Sequence, residues 1–201
     1  MRKTNVILLS TLNKGKIAEY REIFKEFQDL QLKPISEAVF NADMLAKVET
    51  GKTYYENAFN KCRHGHYAAK YPTISDDTGL EVDALGKRPG VDTEKYPGVM
   101  KLLEELKGVP KDKRTASFVC TIVFMVEGVE LVATEKVDGV ILESPSGNQG
   151  FGYDPIFMPI GAEKSFGKMT MEEKNALSHR AKAFRTLMRM IKEKNIQLVH
   201  P

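Results

Sequence analysis

The stretch Asn5-Val6-Ile7-Leu8-Leu9-Ser10, running on into Thr11-Leu12-Asn13-Lys14-Gly15-Lys16, decides the fold class. Its four consecutive apolar residues lie between polar ones, the pattern of a buried strand over 5–10. Asn13 stands where a helix N-cap belongs. Beyond it Ile17, Tyr20, Phe24 and Phe27 step by three and four, which is one face of a helix. A buried strand feeding an amphipathic helix opens an α/β unit.

Working outward, a short strand is expected over 31–35. Thr53-x-x-Glu56 has capping-box spacing and heads a second helix that reaches about Lys70 before Pro72. Segments 73–76 and 80–83 read as short strands with a turn between them, 86–98 as a loop and 99–106 as a short helix. The β-rich runs 117–126 and 130–141 flank Gly128, which predicts a hairpin. Segment 144–152 reads as a loop. Thr170-x-x-Glu173 is a second capping box, followed by helix, with a break, to about Lys194; its buried stripe is Ala181, Phe184, Met188 and Ile191. Helices and strands interleaved in the first half, with a hairpin in the second, predict an α/β fold with a mixed sheet, residues 1–201 forming one domain.

Composition narrows the function. The chain has 201 residues, 42% apolar and 28% charged, which is ordinary globular usage and not that of a disordered chain. Its net charge of +3 is too small to suggest a general nucleic-acid binder. The charge is uneven: residues 161–201 hold 9 basic and 4 acidic side chains, leaving 21 and 23 in residues 1–160. A solvated basic helix accounts for that excess as well as an anionic partner does. Two cysteines, Cys62 and Cys120, exclude a disulfide scaffold and a thiolate zinc cluster. The apolar run 118–126 is far short of a membrane span. A cytoplasmic protein without membrane or nucleic-acid partners is expected.

Several stretches carry candidate chemistry. Segment 11–16 joins a strand end to a helix start, where free N–H groups and Lys16 suit phosphate, although a capped helix with exposed lysines reads the same way. The P-loop spacing is absent. In Ser75-Asp76-Asp77-Thr78-Gly79, adjacent carboxylates can hold a hard divalent cation or take a proton from water; a polar turn is the alternative. Strand neighbours face opposite ways, so one carboxylate of the pair is enough for a site. On the second helix, Asn57, Lys61, His64 and Ala68 share one stripe and Tyr55, Phe59, Cys62 and His66 another. Lys61 is therefore expected on the less apolar side, within reach of a phosphate. His64 and His66 diverge and make a poor metal pair. Glu49 is a loop carboxylate that can join a metal site. Gly150-Phe151-Gly152-Tyr153-Asp154-Pro155 offers room and stacking surface for a planar ligand, worth about 1–3 kcal/mol per base. Lys174 and Ser178 share a helical face, and Arg180 offers a planar fork of donors.

In this order along the chain, Thr11-x-Asn13-x-x-Lys16, the 75–80 segment, Gly150 to Pro155, Glu173-Lys174-Asn175 and Ser178-His179-Arg180 together resemble the inosine triphosphate pyrophosphatase family, from Val6 to about Leu187. The resemblance implies Mg²⁺-dependent hydrolysis of ITP, dITP or XTP to the monophosphate and pyrophosphate. It implies an elongated two-lobed α/β fold around a long mixed sheet, with the active site in the cleft between the lobes, and a homodimer. It implies that Thr11, Leu12, Asn13, Lys14, Gly15 and Lys16 bind the triphosphate, and that Lys61 contacts phosphate. Asp77 is the implied proton acceptor and metal ligand, with Glu49 and Asp76 as its acidic support. Thr78, Phe151, Gly152, Tyr153, Asp154, Lys174, His179 and Arg180 are the implied contacts to substrate, base and sugar.

The chain departs from that pattern twice. Leu12 stands where the family has Gly. The segment 89–98 differs from the family's Tyr-Ser-Ala-Arg-Tyr and is shortened between Val91 and Lys101, so that an Arg is missing. A pyrophosphatase for other modified nucleotides, or a family-derived scaffold altered at 91–101 in activity or assembly, are the alternatives. A non-enzymatic RNA-binding module is disfavoured by Asp76–Asp77.

Overall fold

The computed structural model describes residues 5–39 and 42–198. Its strands are β1 (Asn5–Leu9), β2 (Leu30–Pro34), β3 (Thr73–Val82), β4 (Arg88–Gly90), β5 (Thr115–Val126), β6 (Val129–Ile141) and β7 (Phe157–Pro159). Its helices are α1 (Lys14–Ile23), α2 (Leu45–Val48), α3 (Tyr54–Ala69), α4 (Val99–Glu105), α5 (Met171–Leu177) and α6 (His179–Glu193). Hydrogen-bonded neighbours follow the order β2-β1-β3-β5-β6-β7, and β4 adds to β3. The first three are parallel, and β4 and β7 pair antiparallel, so the sheet is mixed as expected. By internal contacts the chain divides into two compact units: Met1–Asp77, Thr121–Thr134 and Ala181–Pro201 form the first, Thr78–Cys120 and Glu135–Arg180 the second.

In the first unit, β1 pairs with β2 from Asn5↔Leu30 to Leu9↔Pro34, and with β3 at Leu8↔Thr73 and Leu9↔Ile74. Crossovers from β1 to β2 and from β2 to β3 step in opposite directions, and the right-handed rule places α1 and α3 on opposite faces. Asn13 caps α1, its Oδ1 accepting from Lys16 N at 3.1 Å. The expected apolar stripe is present, but α1 stops at Ile23 and Phe24 starts a 3₁₀ turn. Tyr20, Phe24 and Phe27 surround Phe184 of α6 with centroids 6.0, 4.9 and 5.3 Å away. The α6 stripe is buried at Ala181, Phe184 and Ile191, with Leu187 fully covered and Met188 half-buried.

Thr53 caps α3 by accepting from Glu56 N. The expected box is only half made, because Glu56 Oε2 accepts from Lys52 N and not from the cap residue. Gly65 lets α3 lie close on β1: a Cβ there would sit 2.6 Å from Ser10 Oγ and 3.3 Å from Leu8 Cδ2. Ser10 Oγ in turn donates to Lys61 O at 2.7 Å, and Ser75 Oγ to Ser10 O at 2.8 Å. Three elements are thus pinned where Lys61 and Asp77 sit.

In the second unit, β4 pairs with β3 from Leu80↔Gly90 to Val82↔Arg88, so the segment 86–98 is not all loop. β7, which the sequence did not indicate, pairs with β6 from Gly139↔Pro159 to Ile141↔Phe157. Glu127 and Gly128, both at positive φ, turn the expected hairpin. Leu80, Val82, Leu102, Phe118, Ile141 and Phe157 form much of the core. Buried Arg114 donates to Leu106 O at the end of α4 and to Ile141 O and Leu142 O at the end of β6, each at 2.9 Å. Thr170 and Glu173 complete a full capping box on α5, and Ser178, with extended backbone, makes the expected break before α6.

β3 corrects the expected two strands and turn: it is one strand of ten residues with Ser75-Asp76-Asp77-Thr78-Gly79 in its middle. Turn-prone residues are held extended there because tertiary ion pairs, absent from any local propensity, engage their side chains.

Candidate active site

Lysines from two different helices meet the adjacent carboxylates of β3. Lys16 Nζ of α1 lies 3.3 Å from Asp76 Oδ2 and donates to Asp76 O at 3.3 Å. Lys61 Nζ of α3 lies 3.7 Å from Asp77 Oδ1 and also pairs with Glu49 Oε1. Alternation along β3 sends the two carboxylates to opposite faces, and α1 and α3 lie on those faces. Lys61 corrects the expectation of a less apolar side. It falls on the buried face of α3 with Asn57, Ala58, Cys62 and Gly65. The carboxylates it meets make that burial tolerable, since an ion in the interior needs a partner.

Asn57, one turn before Lys61, completes the cluster. Its Nδ2 donates to Asp77 Oδ2 at 3.2 Å, and its Oδ1 accepts from Gly51 N at 2.7 Å. The Gly51 N–H requires an acceptor, so the amide can present only its NH₂ to Asp77. Gly51 itself cannot be larger: a Cβ would lie 2.5 Å from Glu56 Cβ. Burial pushes the Asp77 carboxyl above its ordinary value, with Glu49 adding to the rise; Lys61, Lys16 and the Asn57 amide pull the other way. Asp77 is thus a buried base with donors holding its orientation, and burial raises its pKa from the ordinary Asp value.

Of the other phosphate candidates in this unit, Thr11 is buried and its Oγ1 accepts from Asn13 N at 3.3 Å. Leu12, 40% exposed, and Lys14 direct their side chains to solvent, and Gly15 is half-buried at the start of α1. Among the described residues no three His, Cys, Asp or Glu side chains cluster as a ready metal site.

The second unit gathers a different set. Asp154, buried in a 3₁₀ turn, accepts from Phe151 N at 2.7 Å and from Lys174 Nζ at 2.5 Å, both on Oδ2. The same oxygen explains Gly150: with φ +72°, a Cβ there would fall 2.0 Å from Asp154 Oδ2. Lys174 Nζ lies 5.0 Å from the Phe151 ring centroid and Arg180 Cζ 5.8 Å from it. Arg180, almost wholly buried, donates through Nη2 to Thr78 Oγ1 at 3.2 Å. His179 stacks on Phe118 at 4.8 Å and 14°. Gly152 is exposed, whereas Tyr153 packs into the unit's core. The unit therefore brings Thr78, Phe151, Asp154, Lys174 and Arg180 together around one half-buried ring.

The sequence of the chain matches a known family. The profile of the Ham1 family matches residues 7–190. The chain belongs to the Ham1 family. Among curated Ham1-type relatives, the dITP/XTP pyrophosphatase of Dictyoglomus thermophilum is 40% identical over 191 residues, covering 90% of this chain and 92% of the relative. That of Bacillus subtilis is 38% identical, with coverage of 92% and 96%. A HAM1 protein from Coxiella burnetii superposes with TM-score 0.77 at 32% identity, covering 94% of this chain and all of that one. The Staphylococcus aureus Ham1 protein gives 0.76 at 31%, with coverage of 94% and 99%.

Within this Ham1 chain, the positions that sequence reading passed over are Asn57 and Gly51. The available signal was spacing: Asn57 lies four residues before Lys61, so whatever buries the lysine also buries the amide. In the altered segment, Thr93 Oγ1 accepts from Leu80 N at 2.8 Å and donates to Gly90 O at 2.5 Å. Thr93 therefore ties this segment to β3 and β4 by its own hydroxyl.

Proposed function

We propose that this chain hydrolyses non-standard purine nucleoside triphosphates, ITP, dITP and XTP, to the monophosphate and pyrophosphate. The observation that carries the reading is the buried Asp77 carboxylate, held by Asn57 and Lys61 and set above its ordinary pKa by burial. The relatives named dITP/XTP pyrophosphatase support the choice of substrate.

In this reading Asp77 takes a proton from water, and the resulting hydroxide attacks the α-phosphorus. The bond from that phosphorus to the bridging oxygen breaks, and pyrophosphate leaves. Lys16 and Lys61 offset the negative charge that builds on the leaving group, and segment 11–16 holds the phosphate chain. Phe151 offers a face to the base, and Lys174 and Asp154 fix that ring. Donors of the His179–Arg180 segment meet the 6-keto oxygen of hypoxanthine or xanthine. Adenine would present an amino donor to the same donors, a mismatch expensive in a dry pocket.

The donor set suits magnesium. Asp77 and Glu49 offer hard carboxylate oxygens, both paired with Lys61, whereas the Asp76 carboxylate turns to Lys16 on the other face of β3; such ions are usually completed by substrate phosphates. Asp77 and Glu49 would hold the ion, with Asp76 contributing its negative charge from the other face of β3 and not as a ligand; when bound, the ion supplies charge neutralisation on the phosphates. The same reading takes the enzyme as a cytoplasmic homodimer acting on free nucleotides, without nucleic-acid or membrane partners. Among the described residues no helix is long and apolar enough to cross a membrane.

Steady-state kinetics with ITP, XTP, GTP and ATP, together with turnover of ITP in heavy-oxygen water, tests the proposal. We expect kcat/KM for ITP and XTP to exceed that for ATP by more than tenfold, with the heavy label in the monophosphate. Equal values for ATP and ITP defeat the keto recognition, and label in pyrophosphate defeats attack at the α-phosphorus.

A further inference from the structure

Apart from the residues assigned above, the first unit has a cavity of about 470 Å³ lined by Lys47, Thr50, Asn60, Arg63, His64 and Tyr67, with Val48. Asn60, Arg63, His64 and Tyr67 are positions i, i+3, i+4 and i+7 of α3, a single helical face. The face opens to solvent: Arg63 and Tyr67 are exposed, and Asn60 and His64 are half-buried. It carries nitrogen and hydroxyl groups opposite the exposed Lys47 of α2 and Thr50, and among the described residues no carboxylate lines the cavity.

The cations here are unlike the site lysines. Lys16 and Lys61 are each matched to carboxylates. Among the described residues Lys47 and Arg63 make no ion pair, and the Arg63 guanidinium has only the Phe59 ring, 5.8 Å from its centroid. The Nε2 of His64 is buried and has no hydrogen-bond partner among the described residues. A buried polar nitrogen left unmatched costs free energy that a ligand acceptor would recover.

We propose that this cavity is a second anion site, which takes the phosphate group of a ligand between Lys47, Arg63 and His64. A tetrahedral phosphate has enough oxygens to accept from an arginine fork, an ammonium and an imidazole arriving from two sides, with Thr50 and Asn60 as further donors. The cavity exceeds the size of phosphate alone. Arg63 and Tyr67 also line an adjoining cavity of about 220 Å³ with Phe59, His66 and Glu130, so a carboxylate lines that second space and not the first. Inorganic phosphate and a phosphate ester such as a nucleoside monophosphate share the required chemistry. The site does not depend on the proposed catalytic reading, since none of its residues belongs to that machinery.

Histidine-ring NMR of the full chain tests it, with His64→Gln used for assignment among the four histidines. Saturable movement of the His64 resonance with inorganic phosphate assigns the site to the inorganic anion; movement only with inosine monophosphate assigns it to the ester. The His179 resonance reports the proposed base site separately. In Lys47→Gln/Arg63→Gln, affinity read at His64 falls about tenfold or more, as expected for two lost charge-assisted contacts, while ITP turnover is unchanged. The proposal is overturned if His64 does not respond to either ligand, if chloride at matched ionic strength reproduces the response, or if the double variant titrates as wild type.

Discussion

Replacing Asn57 by Asp tests the Asp77 arrangement without changing its shape. The new side chain is isosteric, and one oxygen still accepts from Gly51 N, but the other oxygen now faces Asp77 Oδ2, where Nδ2 donated across 3.2 Å. A hydrogen bond to a charged group is worth about 1.5–3 kcal/mol, and each pKa unit corresponds to about 1.4 kcal/mol. Loss of the donor alone therefore raises the pKa of Asp77 by roughly one to two units, and the added negative charge pushes the same way. The sign is fixed by the role. Asp77 works ionised, burial already holds its pKa high, and a further rise removes the ionised form at higher pH. The acid limb of the kcat/KM profile for pyrophosphate release from ITP should move up by at least about one unit, with most of the activity regained on the alkaline plateau. A uniform loss of turnover with the limb unmoved would refute the claim that Asn57 acts through the ionisation of Asp77.

Three further outcomes follow from the same geometry. Lys174→Met leaves the Asp154 carboxylate buried beside the Phe151 loop without its cation, which should cost about 3 kcal/mol and lower Tm by roughly 6–12 °C in thermal unfolding. Gly150→Ala forces a Cβ onto Asp154 Oδ2 in a left-handed backbone, so KM for ITP should rise several-fold while the acid limb of the pH profile stays in place. Gly65→Ala wedges α3 away from Ser10 at an overpacking cost of about 1–3 kcal/mol, read as a lower denaturation midpoint in urea.

Local patterns exposed much of this in the sequence. The β1–α1 junction, the Asn13 cap and the hairpin at Gly128 are legible because their causes lie within a few residues: a short apolar run, a side-chain acceptor, two positive φ angles. The Phe151–Asp154 segment and the Ser178-His179-Arg180 triplet are legible as motifs, and the structure brings Arg180 of the triplet to the Phe151 ring while His179 stacks on Phe118. β3 was not legible as one strand. Its Asp-Asp-Thr-Gly centre has turn composition, and the lysines that engage it come from α1 and α3, far off in sequence. The side on which Lys61 lies was misread for the same reason. A lysine on a helix face counts as solvated until the buried carboxylates that receive it are known. β4 and β7 are three residues each, too short for alternation to declare them.

The most direct test of the central claim is pyrophosphate release from ITP by Asp77→Asn beside the wild-type chain, in magnesium, with nucleotide binding measured on both. The substitution keeps the size of the side chain but turns one acceptor oxygen into an NH₂ donor and removes the proton acceptor, so binding should persist while turnover falls by about 10²–10⁴. Wild-type turnover in that variant would show that another group activates the water.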